Sequence, residues 1–177
     1  MDVPKLIVFD LDYTMWDPEM YLLDGGAPFS YQNGRVFDRY GTEVDLFPDV
    51  RNILWRINSS EEFQDTKIGS ASRTEYPDWA EECMQLLDVR DGLKMKDFFT
   101  YNEIYPGTKT SHFRKLQKAS QIPFEEMLFF DDCSWNCRDV ARLGVTTYNC
   151  PQGLSEREFD EALEVYARKK ADGSPSS

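Results

Sequence analysis

The chain has 177 residues, with 20 Lys or Arg against 32 Asp or Glu, which gives a net charge of −12. Its length suits one domain with a proper core. The negative charge argues against nucleic acids and anionic membranes as general partners, because both attract basic surfaces. A phosphate-bearing substrate would therefore need a local positive site, made by a metal ion or by placed Arg and Lys side chains.

The cellular location and the redox state of the cysteines are predicted from sequence signals that we do not find. We find no secretory signal at its start and no apolar run approaching the roughly 18 residues of a membrane span. The cysteines show no C-x-x-C spacing, and a single histidine argues against a structural zinc site. We expect a cytoplasmic monomer with reduced thiols, and the nucleus is the alternative compartment. The cysteines are Cys83, Cys133, Cys137 and Cys150.

The first predicted strand runs from Leu6 to Phe9 and is wholly apolar, which indicates burial on both faces of a parallel sheet. Two carboxylates, Asp10 and Asp12, follow it, and then the hydroxyl of Thr14. Carboxylates crowded at the end of a central strand repel each other, and a hard cation such as Mg²⁺ would compensate. The alternative is a pair of surface aspartates at a strand-to-loop corner, because D-x-D-x-T alone is a short pattern.

Residues 17–47 predict a small β-flap inserted directly after the aspartate pair. Asn33-Gly34 lies between short alternating runs, which is a strong hairpin signal, and residues 40–42 form a second turn. Pro48 then opens a helix. Its predicted inner face is Val50, Ile53, Leu54 and Ile57.

Predicted strands and helices alternate over the rest of the chain, which indicates a doubly wound parallel α/β sheet. The predicted strands cover residues 66–72, 98–101, 127–130 and 145–148. The predicted helices open at Pro77, carry Phe113 and Leu116, are capped by Ser134, and begin with a Ser155/Glu158 capping box. We expect one domain over residues 1–170 and a disordered polar tail over residues 171–177.

Polar residues stand at each predicted strand end, where ligands bind in such sheets. They are Asp10, Asp12, Ser72, Arg73, Lys109, Asp131 and Asp132. These acids, hydroxyl and cations are the parts that a phosphoryl-transfer site requires.

The acids divide into two predicted roles. Mg²⁺ would be held by Asp10, Asp131 and the main-chain carbonyl of Asp12. Asp10 can then attack phosphorus and form an aspartyl-phosphate. Asp12 would protonate the leaving oxygen and later deprotonate the attacking water.

The remaining polar residues would bind phosphate, although each has a plainer interpretation. Ser72 can donate to a phosphoryl oxygen, but Ser70 faces the same way and spacing does not choose between them. Arg73 can fork onto two oxygens or pair with Glu75. Lys109 can neutralise phosphate and nucleophile together or be a solvated helix lysine.

Two further residues have competing interpretations. Asp132 suits the positive end of a helix dipole as an ordinary helix-start acid. His112, the single histidine, is expected to be a bystander.

Four segments carry a resemblance to a known family. DLDYT (10–14), ASRT (71–74), YPGTK (105–109) and FFDD (129–132) resemble the four motifs of the haloacid dehalogenase superfamily. More closely, they resemble its magnesium-dependent phosphatase type-1 group. The resemblance implies a Rossmann-like fold, Mg²⁺ and an aspartyl-phosphate intermediate. Cys133 departs from the pattern, because the group often carries an acid there.

The resemblance also assigns site residues and decides for Ser72 over Ser70. Metal would contact Asp10, Asp12 and Asp131, with Thr14 and Asp132 supporting them. Substrate phosphate would contact Asp10, the main chain of Leu11, Asp12, Ser72, Arg73 and Lys109.

The spacing of the motifs leaves no room for a large cap domain, because only residues 73–108 separate Ser72 from Lys109. We expect an open site for phosphate on a bulky carrier. Members of the similar group act on phosphotyrosine and on phosphorylated sugar adducts of amines. Tyr13, Trp16 and Phe29 are either an aromatic wall for the substrate or core residues.

Three other functions are weighed against a phosphatase. A receiver-type signalling module is rejected, because its lysine follows the last acids, whereas Lys109 precedes Asp131. A scaffold that binds phosphate without catalysis has little support, since no motif position is missing. A dehalogenase is disfavoured by Asp12 and the paired acids at the metal side.

Overall fold

The computed structural model describes residues 1–173, so residues 174–177 of the predicted tail lie outside the described residues. The strands are β1 (Leu6–Phe9), β2 (Trp16–Asp17), β3 (Ser30–Gln32), β4 (Arg35–Phe37), β5 (Glu43–Leu46), β6 (Lys67–Ser72), β7 (Asp88–Arg90), β8 (Leu93–Lys94), β9 (Tyr101–Ile104), β10 (Met127–Asp131) and β11 (Thr146–Asn149). The helices are α1 (Val50–Ser59), α2 (Pro77–Leu86), α3 (Lys109–Ser120), α4 (Ser134–Ala141) and α5 (Glu156–Asp172).

The main sheet has five parallel strands in the order β11-β10-β1-β6-β9. The chain builds outward from β1 through β6 to β9, then returns to the other side of β1 as β10 and β11. This reversal makes the ends of β1 and β10 a topological switch point, where ligands bind in open α/β sheets. Phe9 lies opposite both Phe130 and Ser70, so three strands end side by side.

Alternating side chains of β1 separate two cores. Ile7 and Phe9 belong to the core covered by α1, α2 and α5, whereas Leu6 and Val8 belong to the core with α3 and α4. All four side chains are fully buried, as predicted for a central parallel strand. The doubly wound α/β fold is therefore confirmed.

The flap is a four-stranded antiparallel sheet in the order β2-β5-β4-β3. Asn33 and Gly34 join β3 to β4 with φ angles of 51° and 81°, the left-handed pair that a type I′ hairpin turn requires. The Tyr31 hydroxyl donates to Asp88, and the main-chain N–H of Phe29 donates to Glu82 Oε1 at 2.7 Å. The flap is thus bonded to the body of the domain.

The segment between β6 and α3 contains only small elements, as the spacing of the motifs predicted. This stretch contains α2, the β7–β8 hairpin and β9. Within residues 1–173 the insertions are therefore the flap and this hairpin, with no large cap domain.

Several predicted elements need correction. The strand predicted over residues 98–101 is wrong: residues 95–98 form a 3₁₀ turn, and β9 starts only at Tyr101, opposite Gly69. The apolar run there packs Phe98 and Phe99 into the core as a turn rather than extending along the sheet. Helix α5 continues to Asp172, two residues into the expected tail.

The start of α4 also differs from its prediction. Its N-cap is Cys133 rather than Ser134, which is already helical. The reason is that Cys133 is still extended, with its N–H donating to Asp131 Oδ1 at 2.9 Å.

Other helix predictions are confirmed. Ser155 Oγ accepts from the N–H of Glu158, whose carboxylate accepts from the N–H of Ser155 in return. The four predicted inner residues of α1 are all buried. All four cysteines are free, and no helix of residues 1–173 has the length and apolarity to cross a membrane.

Candidate active site

Side chains from the ends of β1, β6 and β10 and from the start of α3 meet at the carboxyl edge of the sheet. They surround an open cavity of about 430 Å³. Its lining residues are Asp10, Asp12, Tyr21, Ser72, Arg73, Thr74, Glu75, Lys109 and Asn136. The five predicted phosphate-binding side chains are thus brought together, while Asp131 lies beneath them, fully buried.

Lys109 is the buried cation of this site. Thr108 caps α3 by accepting from Ser111 N at 3.1 Å, so Lys109 is the first helical residue. Its Nζ lies 2.8 Å from Asp10 Oδ1 and 3.2 Å from Asp131 Oδ2, and it also donates to the carbonyl of Ala71.

The charge of Lys109 is maintained by these partners. Burial alone would lower the pKa of the ammonium, but the carboxylates of Asp10 and Asp131 outweigh burial and raise it above its ordinary value. Lys109 is 2% exposed. It is therefore a permanent buried positive charge and not a solvated helix lysine.

Three carboxylates converge next to this lysine. Asp10, Asp131 and Asp132 each present a carboxylate oxygen, and these oxygens all lie within 4.8 Å of one another. Burial and the negative charge of Asp10 raise the pKa of Asp131 to about 6 and that of Asp132 to about 8. A crowded all-oxygen donor set that resists ionisation fits a hard divalent cation.

The cluster contains one carboxylate that was not among the predicted metal ligands. Asp132, predicted as a supporting residue, presents its carboxylate directly beside Asp10 and Asp131. Asp12, predicted to contribute its main-chain carbonyl, keeps its carboxylate outside the cluster.

Thr14 ties the two strand ends together. Its fully buried hydroxyl lies 2.9 Å from Asp10 Oδ2 and 3.2 Å from Asp132 Oδ1, and it accepts from the N–H of Asp132 at 3.0 Å. A hydroxyl has one proton, so it donates to one carboxylate at a time. Thr14 thus fixes the separation of the acids that follow β1 and β10.

Asp12 is directed into the cavity by a tight turn. Tyr13 has a φ of 59°, and its N–H donates to the carbonyl of Trp16 at 2.8 Å, which brings the chain back on itself. Trp16 Nε1 and the N–H of Met20 both donate to Asp12 Oδ1, at 2.8 and 3.2 Å. Burial, aided by the charge of Asp10, raises the pKa of Asp12 to about 7. A carboxyl group with that pKa can give and take a proton at neutral pH.

The lining of the cavity distinguishes the two serines. Ser72 lines the cavity, whereas Ser70 lies further back along β6 and donates to Asn102 Oδ1 at 2.6 Å. Arg73 is exposed, lines the cavity and donates to Asn136 Oδ1 at 3.1 Å, and within residues 1–173 no ion pair joins it to Glu75. The geometry therefore favours Ser72.

Four of the nine lining residues were not predicted to contact a ligand: Tyr21, Thr74, Glu75 and Asn136. Thr74 and Glu75 directly follow Arg73 in the chain, whereas Asn136 and Tyr21 come from other elements. Asn136 lies in the first turn of α4, five residues after Asp131, where a helix that starts at the strand end returns side chains to the site. Tyr21 belongs to a 3₁₀ turn of the flap and is 65% exposed, and no pattern in the sequence points to it.

The other aromatic and histidine predictions have clear outcomes. Trp16 and Phe29 are core residues, and the Tyr13 ring packs edge-on against Phe47 at 5.3 Å, so none of them lines the cavity.

His112 is buried, with Nε2 2.9 Å from the carbonyl oxygen of Tyr105, and burial lowers its pKa to about 4. It stays neutral and does not line the cavity.

A Rossmann-like sheet with an acid pair after its first strand, and a serine, a lysine and further acids at its other strand ends, defines a haloacid dehalogenase-like protein. A haloacid dehalogenase family enzyme from Bacteroides thetaiotaomicron, solved in complex with magnesium and inorganic phosphate, is similar with a TM-score of 0.63. It is 14% identical and is matched over 89% of this chain and 99% of that chain, a likeness that shows the fold.

The family follows from sequence comparison. The family model described as Acid Phosphatase matches residues 2–169, and the chain belongs to that family. Magnesium-dependent phosphatase 1 of Homo sapiens is 38% identical over 167 residues, which cover 94% of this chain and 89% of that protein. A HAD-like hydrolase superfamily protein of Schizosaccharomyces pombe is 39% identical over 152 residues, with 82% and 85% coverage.

Proposed function

We propose that this protein is a Mg²⁺-dependent phosphomonoesterase that works through an aspartyl-phosphate on Asp10. The observation that carries the proposal is the setting of Asp10 at the cavity floor. Its two oxygens are held separately, Oδ1 by the Lys109 ammonium and Oδ2 by the Thr14 hydroxyl. Such a carboxylate is fixed in orientation and relieved of charge repulsion, as a nucleophile toward an anionic phosphate must be.

Asp10 and Asp131, with the main-chain carbonyl of Asp12, would hold Mg²⁺, and Asp132 adds a further carboxylate at the same place. When bound, Mg²⁺ would supply positive charge that offsets repulsion between the carboxylates and the phosphate. The similarity to a protein named Magnesium-dependent phosphatase 1 supports this choice of metal.

The phosphoryl group would be transferred in two steps. An Asp10 oxygen bonds to phosphorus while the ester oxygen leaves with a proton from Asp12. Ionised Asp12 then takes a proton from water, whose oxygen attacks phosphorus and releases Asp10 as a carboxylate. The near-neutral pKa of Asp12 supports both directions of this proton transfer.

Phosphate would be held by the groups that line the cavity above Asp10. Lys109 and the Ser72 hydroxyl line the cavity and would donate to the phosphoryl oxygens. The main-chain N–H of Leu11 would be a further donor. Arg73, at the exposed side, would fork onto two of these oxygens. Catalysis then consists mainly of positioning and charge stabilisation.

The lining of the open cavity supports two candidate substrate classes. Its outer wall carries the exposed ring of Tyr21, which offers a flat apolar surface to an aromatic leaving group such as that of phosphotyrosine. A second candidate is a phosphorylated sugar adduct of an amine, favoured by the Glu75 carboxylate in the same wall, which would attract a cationic group. The net charge of −12 supports a monomeric enzyme without nucleic-acid or membrane partners.

Hydrolysis of p-nitrophenyl phosphate tests this function. We expect activity with Mg²⁺, loss of activity with EDTA, and loss in Asp10→Asn and Asp12→Asn. Asp160→Asn, on the solvent side of α5, is the matched control and should keep full activity. A phosphate-binding scaffold would bind inorganic phosphate without turnover, and activity that survives EDTA or Asp10→Asn contradicts the mechanism.

A further inference from the structure

Asn136 joins the metal side of the site to its phosphate side. Its Nδ2 donates to Asp131 Oδ2 at 3.0 Å, and its Oδ1 accepts from Arg73 Nη1 at 3.1 Å. An amide carries a donor and an acceptor, so it can bond a carboxylate and a guanidinium at once. At 9% exposure, it is nearly buried although it lines the cavity.

Arg73 depends on this contact for its position. The residue follows the last residue of β6 and is exposed, and within residues 1–173 its guanidinium makes one side-chain hydrogen bond, to Asn136. Arginine has several rotatable bonds, so a guanidinium without a partner spreads over many rotamers. The amide of Asn136 selects the rotamer that lies along the cavity.

The Nδ2 end of the Asn136 amide is held in place by Asp131. Asp131 Oδ2 also contacts Lys109 Nζ at 3.2 Å, and Asp131 Oδ1 accepts from the N–H of Cys133 at 2.9 Å. The position of Asn136 is therefore set by a buried carboxylate whose two oxygens both have partners. The Asn136 side chain therefore fixes the position of Arg73 relative to the buried carboxylate of Asp131.

We propose that Asn136 is a positioning residue that holds the Arg73 guanidinium over the cavity, so that phosphate binding by Arg73 requires the Asn136 amide. The inference rests on the proposed function, in which Arg73 binds the phosphate of the substrate. It adds a dependence between two residues that the proposed mechanism does not contain.

A double-mutant cycle tests the dependence. The dissociation constant of inorganic phosphate is measured by calorimetry, in saturating Mg²⁺, for the full chain, Asn136→Ala, Arg73→Ala and the double variant. We expect Asn136→Ala to weaken phosphate binding about tenfold in the parent, the effect of one hydrogen bond. In the Arg73→Ala background the same change should have no effect.

Asn149→Ala is the matched control. Asn149 Nδ2 donates to the main-chain oxygen of Asp131 at 3.1 Å, so this asparagine also contacts Asp131. Within residues 1–173 it makes no hydrogen bond to Arg73. Its removal should leave the phosphate dissociation constant unchanged in both backgrounds. Asn136→Ser replaces Asn136→Ala if the latter fails to give the circular dichroism spectrum of the parent.

The possible results distinguish a failure of the positioning role from a failure of the proposed function. Equal weakening by Asn136→Ala with and without Arg73, or no weakening at all, overturns the positioning role while leaving a phosphatase intact. A parent protein that neither binds phosphate nor hydrolyses p-nitrophenyl phosphate refutes the proposed function, and the inference with it.

Discussion

Replacing Lys109 with methionine would test whether a buried cation holds the acids of the site together. Lys109 is 2% exposed and contacts Asp10 and Asp131 at 2.8 and 3.2 Å, so its loss leaves buried carboxylates without compensation. Methionine keeps the apolar stem and the helix propensity, which isolates the effect of the charge.

The structure sets the size of the effect. One of the two uncompensated carboxyl groups would take up a proton, which bounds the cost. Protonating a carboxyl with an unfolded pKa near 3.9 costs about 5 kcal/mol at pH 7.5 and about 1.5 kcal/mol at pH 5. A loss of about 3–5 kcal/mol is also usual when one partner of a buried ion pair is removed.

The sign of the pH dependence follows from the same proton. In Lys109→Met the folded state binds a proton that the unfolded state has released at pH 7.5, so the variant loses stability as pH rises. The parent, in which the pKa of Asp131 is about 6, also binds this proton at pH 5, so the stability difference between the two proteins grows mainly above pH 6. Urea unfolding in EDTA should therefore show a deficit of about 3–5 kcal/mol at pH 7.5 that shrinks to about 1–2 kcal/mol at pH 5. Added Mg²⁺ should recover part of the deficit.

Lys118→Met is the control, since Lys118 is exposed on the same helix. It should unfold within about 0.5 kcal/mol of the parent at both pH values. A Lys109→Met protein as stable as its parent at pH 7.5, or one whose deficit does not depend on pH, would refute the electrostatic reasoning.

Three more predictions concern the cavity wall, a buried histidine and the metal. Tyr21→Ala should lower kcat/KM severalfold for aryl phosphates but not for glycerol phosphate, whereas Leu22→Ala, exposed outside the cavity, should change neither. Equal losses on both substrates would refute the aromatic wall. His112, with its pKa lowered to about 4, should cost stability between pH 6.5 and pH 4, because the unfolded chain gains a proton there that the folded chain excludes. The stability advantage of the parent over His112→Gln should fall across that window by at most about 3 kcal/mol, and a constant difference contradicts this assignment. Mg²⁺ should raise the melting temperature of the parent more than that of Asp131→Asn, and equal shifts would place the metal elsewhere.

The sheet and the floor of the site were predictable because their signals are local. The two runs that form β1 and β10 are apolar without alternation, which only a strand covered on both faces requires, and each ends in acids. Parallel strands place those ends at one edge of the sheet, so the sequence alone predicted that Asp10 and Asp131 lie close together. The same rule placed Lys109 and a serine of β6 at this edge, and the family resemblance then chose Ser72 over Ser70.

The cavity wall was not predictable, because it depends on how elements pack against each other. Asn136 reaches the site only through the direction in which α4 leaves β10. No local sequence signal separates the aromatic residues around the flap, yet packing buries Trp16 and Phe29 and leaves Tyr21 exposed. Residues 98–101 have strand-like composition, but residues 98–99 turn into the core and only Tyr101 joins β9, because tertiary packing outweighs the local strand propensity.

The covalent intermediate on Asp10 is the central claim, and it can be observed directly. Asp12→Asn should let the good leaving group of p-nitrophenyl phosphate depart without an acid, but it removes the base that activates water, so the phosphoenzyme should accumulate. Acid quenching followed by peptide mass spectrometry should find one phosphoryl group on the peptide that contains Asp10. A phosphoryl group on any other residue, or an unmodified protein that still turns over substrate, would contradict the account.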